Sequence, residues 1–357
     1  VDNFCHKSFV VIYHFITLKK NKNEFKEKLS LNNKKMSLSH QIKKDNIIVN
    51  TIKNNLEFPK FESIKVSTKT FIITTNITIN IDKLFQKLPI TEYILIPKKR
   101  GRKPKNVVID PNKDIKDGSI ISLIHQDNLR GVNMRKKKKP NNNKKTYFRN
   151  SITVIMIIDG KKVNYKISRN GKIQMTGCKR DETAENCIKW FWHYIKDYKD
   201  IYKFNNEKDT NINALFIPAM RNIDFDLNFI VDREKLDEYF NLFTDYNSLL
   251  ETSFGYTGVN IKIPLTKPIK SLKLKKLEYK DDKWSDISYV EYTEYLSMLS
   301  EKEVNKKLKK TRYNTFLVFH SGKVIMSGME ESFMKNDYII FTDIIKKCYN
   351  IIEEKLN

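Results

Sequence analysis

The chain has 357 residues, of which 67 are Lys or Arg and 42 are Asp or Glu, for a formal charge of +25. That length supports one large or two medium domains with real cores, and the charge points to a polyanionic partner, although the abundance of Asn, Ile and Lys also fits a chain from an AT-rich genome. Cys5, Cys178, Cys187 and Cys348 lie far apart, form no CxxC and have no His at ligand spacing; the pattern argues against a disulfide framework or structural zinc, and no cofactor is expected.

Residues 1–60 read as a flexible, basic N-terminal extension. Its longest apolar run, Phe9–Leu18, is too short to span a bilayer and lacks a cleavage pattern. The first Met is Met36, so residues 1–35 read as an upstream extension of the reading frame. Ile72–Ile81 alternates as a strand, and Asp82–Leu88 starts a helix that stops at Pro89. Residues 98–128 form a basic, polar insertion, and residues 136–145 (KKKKPNNNKK) a low-complexity loop.

Ile152–Ile158, Val163–Ser168 and Lys172–Thr176 then form a three-strand meander. It turns at Asp159-Gly160 and Asn170-Gly171, dipeptides that type I′ hairpins favour because both central residues need positive φ. Thr183–Tyr198 follows as a helix with Ile188, Phe191, Trp192 and Ile195 on its apolar face, which makes Trp192 a core residue rather than a base-stacking one. The order then returns: strand Ile217–Phe225, helix Asp232–Leu242, strands Thr257–Ile263, Tyr313–Phe319 and Lys323–Ser327, helix Asp337–Lys355. Residues 264–312 interrupt this second copy, and their charged stretch from Ser285 to Lys310 reads as a solvated helix ahead of a partner-binding one.

Three sequence pairs carry the repeat. Asn170–Gly177 (NGKIQMTG) recurs as Ser321–Gly328 (SGKVIMSG), Asn80–Leu84 is matched with Ile230–Glu234, and Arg130–Arg135 (RGVNMR) with Thr257–Lys262 (TGVNIK). Two copies are too few for a solenoid and suit a pseudo-twofold domain. The repeats run over residues 61–205 and 206–357. The expected fold class is α+β: one curved antiparallel sheet with helices on one face and the other face bare.

Asn150–Lys179, with its Val154-Ile155-Met156, Gly171-Lys172 and Thr176-Gly177-Cys178-Lys179, resembles the C-terminal half of a TATA-binding-protein repeat. Phe316–Gly328 resembles the same segment of the second repeat. The resemblance covers roughly residues 61–357 without the insertions, and the insertions and lysine content look more like the copies carried by large DNA viruses than like cellular ones. It implies a saddle with helices on the convex face and a concave face laid on an A·T-rich minor groove. It also implies a general transcription factor with double-stranded DNA, a transcription factor IIB-like protein and RNA polymerase as partners. Such a protein would act at the site of transcription, in a nucleus, a cytoplasmic viral factory or a virion.

Carried over position by position, the family's central groove asparagines fall at Thr70 and Met220, and its groove-facing valines at Ile72 and Asn222. Thr74 and Leu317 join this face. The last-strand threonines fall at Thr176 and Ser327, beside Gln174 and Ile325. The wedge phenylalanines match Tyr256 and Phe319 in the second repeat; an ungapped register puts Ser151 and Ser168 there in the first. A second register sets Leu129 against Tyr256. Serine cannot pry a base step open, so symmetric bending is not expected. Lys172, Lys179, Lys262 and Lys323 are the phosphate contacts. Separately, Lys98–Lys105 (KKRGRKPK) resembles an AT-hook, with Arg100 and Arg102 inserting along a narrow groove while Gly101 keeps the backbone close to its floor and Pro104 follows. A nuclear-import signal or a solvated loop fits the same residues.

No P-loop, HExxH, GxSxG or GxGxxG occurs, and the six His are scattered, so no catalytic constellation forms. Two functions stay open: minor-groove transcription factor, or an interaction scaffold that keeps the saddle and has lost specific DNA binding. The serines at wedge positions and the missing asparagines favour the second.

Overall fold

The structure, a computed structural model, describes residues 56–95, 111–134, 149–250 and 258–355. In the first half β1 (Val66–Thr75), β2 (Ile77–Ile79) and α1 (Ile81–Lys87) are followed by β3 (Ile120–His125), β4 (Asn128–Gly131), β5 (Ser151–Ile158), β6 (Lys161–Ser168), β7 (Lys172–Cys178), α2 (Asp181–Ile195) and β8 (Tyr202–Phe204). The second half holds β9 (Ile212–Asp226), α3 (Arg233–Phe243), β10 (Asn247–Leu250) and β11 (Gly258–Pro264). After these come β12 (Lys273–Lys280), β13 (Lys283–Trp284), β14 (Ser288–Glu291), α4 (Tyr292–Ser297) and α5 (Glu301–Lys309), then β15 (Tyr313–Phe319), β16 (Lys323–Gly328) and α6 (Glu331–Ile352).

One antiparallel sheet unites the halves in the order β10-β11-β15-β16-β9-β1-β7-β6-β5-β3-β4. Outward from the central β9–β1 pair, both sides read alike: first strand of the half, last strand, then the meander in reverse. Thr70 pairs with Met220 at the middle of this arrangement. The result is a curved α+β sheet with pseudo-twofold order.

Local chemistry repeats with the topology. Asn80 caps α1 by accepting from the Lys83 backbone N–H at 3.1 Å, and Asp232 caps α3 by accepting from that of Lys235 at 3.1 Å. Both satisfy a helix N–H that has no intrahelical partner. The equivalence is thus Asn80 with Asp232, two residues on from the pairing read in the sequence, and it brings Leu84 and Leu236, both fully buried, into register. The β6–β7 and β15–β16 loops are three-residue turns in which only the glycine is left-handed, Gly171 at φ +71° and Gly322 at φ +80°. Asn170-Gly171 is therefore not the type I′ turn expected, whereas Asp159-Gly160 has positive φ at both residues, as that turn requires.

Two apolar cores lie on one face of the sheet. Ile73, Ile152, Val154, Tyr165 and Ile173 meet Ile188, Phe191 and Trp192 of α2 in the first. Val259, Ile261, Phe316 and Met326 meet Phe240 of α3 and Phe341 of α6 in the second, where Phe316 and Phe341 stack at 4.1 Å. This face carries α1, α2, α3 and α6.

Several expectations are corrected. Strand β3 falls within the stretch set aside as the insertion 98–128, yet it pairs with β5 as part of the common plan. Arg130-Gly131 lies in β4 at the sheet edge, whereas Gly258–Lys262 lies in β11, so the RGVNMR–TGVNIK likeness is not a structural equivalence, and Leu129 does not answer Tyr256. The insertion 264–312 is also built into the sheet: β9 is long enough to pair with β16 along residues 221–226 and with β12 along residues 212–216 on the same edge. Ser285–Lys310, expected as one helix, contains β14, α4 and α5, and α6 begins at Glu331 rather than Asp337.

Candidate nucleic-acid interface

Strand side chains alternate, so residues between the core positions form the other face of the sheet. In the first half these are Thr70, Ile72 and Thr74 on β1, Lys172, Gln174 and Thr176 on β7, Lys166 and Ser168 on β6, and Ser151 and Thr153 on β5. Cross-strand rows run Lys166–Gln174–Ile72–Ile217 and Asn164–Thr176–Thr70–Met220. In the second half the rows run Thr68–Asn222–Ser327–Thr315–Lys262 and Asp224–Ile325–Leu317–Asn260–Leu249, with Phe319 opposite Gly258. Thr70, Ile72, Thr74, Ser151, Ser168, Gln174, Thr176, Met220, Asn222, Leu317, Phe319, Ile325 and Ser327 thus share one side. Lys172, Lys262 and Lys323 stand on it as well. Lys179 lies past the end of β7, in the turn into α2, and takes no place in the rows. Tyr256, Arg100, Gly101, Arg102 and Pro104 fall outside the described residues.

The register also aligns the halves. Ile167 pairs with Ile173 as Val318 does with Val324, so Ser168 holds the place of Phe319. Ser151 pairs with Ser168, but Gly258 pairs with Phe319. Ser151 therefore corresponds to Gly258, and the counterpart of Tyr256 falls two residues earlier, at Arg149. In the first half Ile158 stands directly opposite Lys161 across the Asp159-Gly160 turn, whereas the insertion 264–312 separates the corresponding strands of the second half.

The expectation of a bare face is corrected. Leu215 and Ile217 of β9, Leu272, Leu274 of β12, and Tyr292, Tyr295 and Leu296 of α4 form a third buried cluster, with Ile72 and Val304 packed against it. Leu215 and Ile217 point away from Ala214 and Phe216, which belong to the first core, so α4 and α5 sit on the face opposite the other four helices. Lys276 Nζ binds Glu294 Oε1 of α4 at 3.0 Å, and Lys172 Nζ lies 4.0 Å from Glu303 Oε1 of α5. The Glu303 carboxyl is held below its usual range, first by hydrogen bonds from the Ser300 hydroxyl and backbone N–H and then by the Lys172 charge. Thr74 Oγ1 is buried without a hydrogen-bond partner. At the outer edge of the first half, Ile121, Ile155 and Ile157 are likewise covered, by Tyr93, Ile115 and Met134.

Burial of apolar surface favours the cover. Lifting α4 and α5 would return Leu215, Ile217, Leu274, Tyr292, Tyr295 and Leu296 to water, at about 1.5–3 kcal/mol each, or on the order of 10 kcal/mol together. That is comparable with the whole folding free energy of a domain, about 5–15 kcal/mol.

The uncovered area is therefore asymmetric. Toward the second half it presents Leu317, Phe319, Ile325 and Leu249, the last 60% exposed, with Asn222, Asn260 and Ser327 between them. The amide oxygens of Asn222 and Asn260 are buried and lack hydrogen-bond partners. Lys262 and Lys323 are exposed beside this strip, and Asp224, which accepts from Ser67 Oγ at 3.1 Å, stands within it. Toward the first half the floor is polar: Asn164, Lys166, Gln174 and Thr176. Asn260 and Leu249 were missed in the sequence; the alternation of Gly258–Pro264 places Asn260 beside Lys262, but the short β10 carries no comparable signal.

No model of a known protein family matches the chain. It is similar to uncharacterized protein 335L of Invertebrate iridescent virus 6, at 25% identity over 259 residues that make up 67% of this chain and 71% of that protein. Among solved structures it is similar to Methanococcus jannaschii TBP, with a TM-score of 0.36 and 16% identity, over 81% of this chain and 99% of the other.

Proposed function

We propose that the chain is a DNA-binding protein of transcription initiation that seats the open face of its second half in an A·T-rich minor groove and bends the duplex there. The observation that carries this reading is the composition of that strip: Leu317, Phe319 and Ile325 interleaved with Asn222, Asn260 and Ser327, with Lys262 and Lys323 beside it. The minor groove offers mostly acceptors, so apolar contact and amide donors suit A·T pairs, and a bulky ring suits a flexible step. Lysines at the margin serve the phosphates. The +25 charge and the sequence resemblance to TATA-binding-protein repeats support the same reading. On it, Tyr256 supplies the second wedge, Arg100 and Arg102 follow the neighbouring groove, and the helix-bearing face meets a transcription factor IIB-like protein and RNA polymerase.

A second reading, a transcription-associated interaction scaffold without specific DNA binding, is favoured by two observations. The cluster around Tyr292 and Tyr295 covers Ile72, and Asp224 places a carboxylate in the strip. A gel shift across a salt series with A·T-rich and G·C-rich duplexes separates the readings. A·T-preferring, salt-sensitive binding is the result expected of the DNA-binding protein; equal or absent shifts would leave the scaffold.

A further inference from the structure

The insertion does more than cover the sheet, because the helix it places there is strongly basic. Residues 301–312 carry Lys302, Lys306, Lys307, Lys309, Lys310 and Arg312 against Glu301 and Glu303. Lys307 lies over the Tyr295 ring at 5.0 Å. Lys302, Lys306, Lys309 and Lys310 are exposed and make no ion pair among the described residues.

Helical spacing orients them. The position three after Glu303 shares its side of the helix, and this is Lys306; Lys310 caps the C-terminal end of the same helix with extended backbone. Glu303 approaches Lys172 of β7, so that side looks along the first-half floor, where Lys166 and Gln174 lie. Lysines in a last turn also complement the helix dipole. That explains why the helix tolerates them, but not why they gather above a floor that is itself basic.

We propose that α5 and its C-terminal end are a phosphate-contacting wall, in which Lys306 on the helix and Lys310 at its cap, with Lys172 on the sheet, hold one sugar-phosphate strand of duplex DNA as it passes over the first half. The inference rests on the DNA-binding reading of the second half and adds a contact that the pseudo-twofold plan does not contain. Because α4 is held by the cluster beneath it and α5 packs Val304 against that cluster, the duplex runs beside α5 rather than displacing it. The second half supplies apolar and amide contacts to the groove, while the first half and α5 supply charge to its backbone.

The test uses the full chain and a single A·T-rich duplex, with the binding constant measured across a salt series for the native protein, for Lys306→Gln with Lys310→Gln, and for Lys302→Gln with Lys309→Gln. Each lost phosphate contact lowers the slope of log K against log salt by about 0.9, so the first pair should lower it by nearly 2 and weaken binding roughly 60-fold at about 0.1 M salt. The second pair should change it less. Unchanged thermal midpoints would show that the variants fold. If the native chain binds and the Lys306, Lys310 variant keeps the same slope, the wall is overturned and the DNA-binding reading survives. If the native chain binds no duplex, that reading fails and the wall with it.

Discussion

Ser168 and Phe319 occupy one position in the two halves: each ends a strand two places out from the central pair, immediately before the loop with the left-handed glycine. One half therefore ends this strand in a hydroxyl and the other in a phenyl ring. If the ring kinks the duplex, Phe319→Ala should reduce bending clearly, while Ser168→Ala should leave it nearly unchanged. Fluorescence energy transfer between the ends of a labelled duplex reads this directly. Equal loss in both variants would remove Phe319 from the wedge role.

The insertion is anchored on the helix face as well as on the other. Lys275 of β12 donates to Glu185 Oε1 of α2 at 2.5 Å and lies 3.4 Å from Asp181 Oδ2, and the Glu185 side chain is only 5% exposed. Removing one partner of such a pair strands a buried charge. Lys275→Met should therefore lower the unfolding free energy by roughly 3–5 kcal/mol. Lys172→Gln, which breaks a longer and wetter pair with Glu303, should cost no more than about 1 kcal/mol. Urea unfolding of the two variants provides the comparison, and similar losses would mean that the β12–α2 link is not a structural anchor.

Acid should weaken the same region. Burial alone would raise the pKa of Asp181, but the hydrogen bond and charge of Lys69, followed by those of Lys275, outweigh it and hold the carboxyl below its usual range. A depressed folded pKa means that the contribution is fully present above the unfolded value, about 3.9, and is lost as pH falls through the folded one. Stability should thus decline from about pH 5 downward, and Lys69→Met should flatten that decline. An identical acid limb in the variant would assign the decline to other groups.

The two loop glycines give a matched pair of tests. A Cβ on Gly171 would come within 2.0 Å of the Ile77 carbonyl oxygen, and one on Gly322 within 2.2 Å of that of Phe229. Gly160 has a similar φ, +65°, but open space around it. Gly160→Ala should then cost about 1–2 kcal/mol for the left-handed backbone alone, and Gly171→Ala and Gly322→Ala should each cost more. Thermal midpoints in any other order would contradict the close approach at these turns.

Much of the scaffold was legible because it is local. Strands of period two, the Asp159-Gly160 turn and the repeated Gly-Lys segment each declare themselves within a few residues, and the duplication announced two units of like order in one sheet. The resemblance to TATA-binding-protein repeats, carried over position by position, named Thr70, Gln174, Thr176, Asn222, Leu317 and Ile325 for one face, and the strand registers place them there. Element ends were less clear: β1 and α6 both begin six residues before the sequence suggested, since Val66–Phe71 and Glu331–Asn336 acquire their partners from distant strands and helices.

The sequence by itself thus determined two alike halves and a basic chain, which follow from short-range pattern and composition, and its family resemblance named Asn222, Leu317, Phe319, Ile325 and Ser327 of the second half's open strip, though not Asn260 or Leu249. Only the tertiary structure decided where the insertions go. Nothing near Leu274, Tyr292 or Tyr295 in the chain marks them as partners of Ile72 and Leu215; a long β9 with a vacant edge and an apolar patch opposite its core drew them there. The physical reason is that burial of apolar surface is non-directional, so which face an inserted segment covers depends on what the finished sheet leaves uncovered.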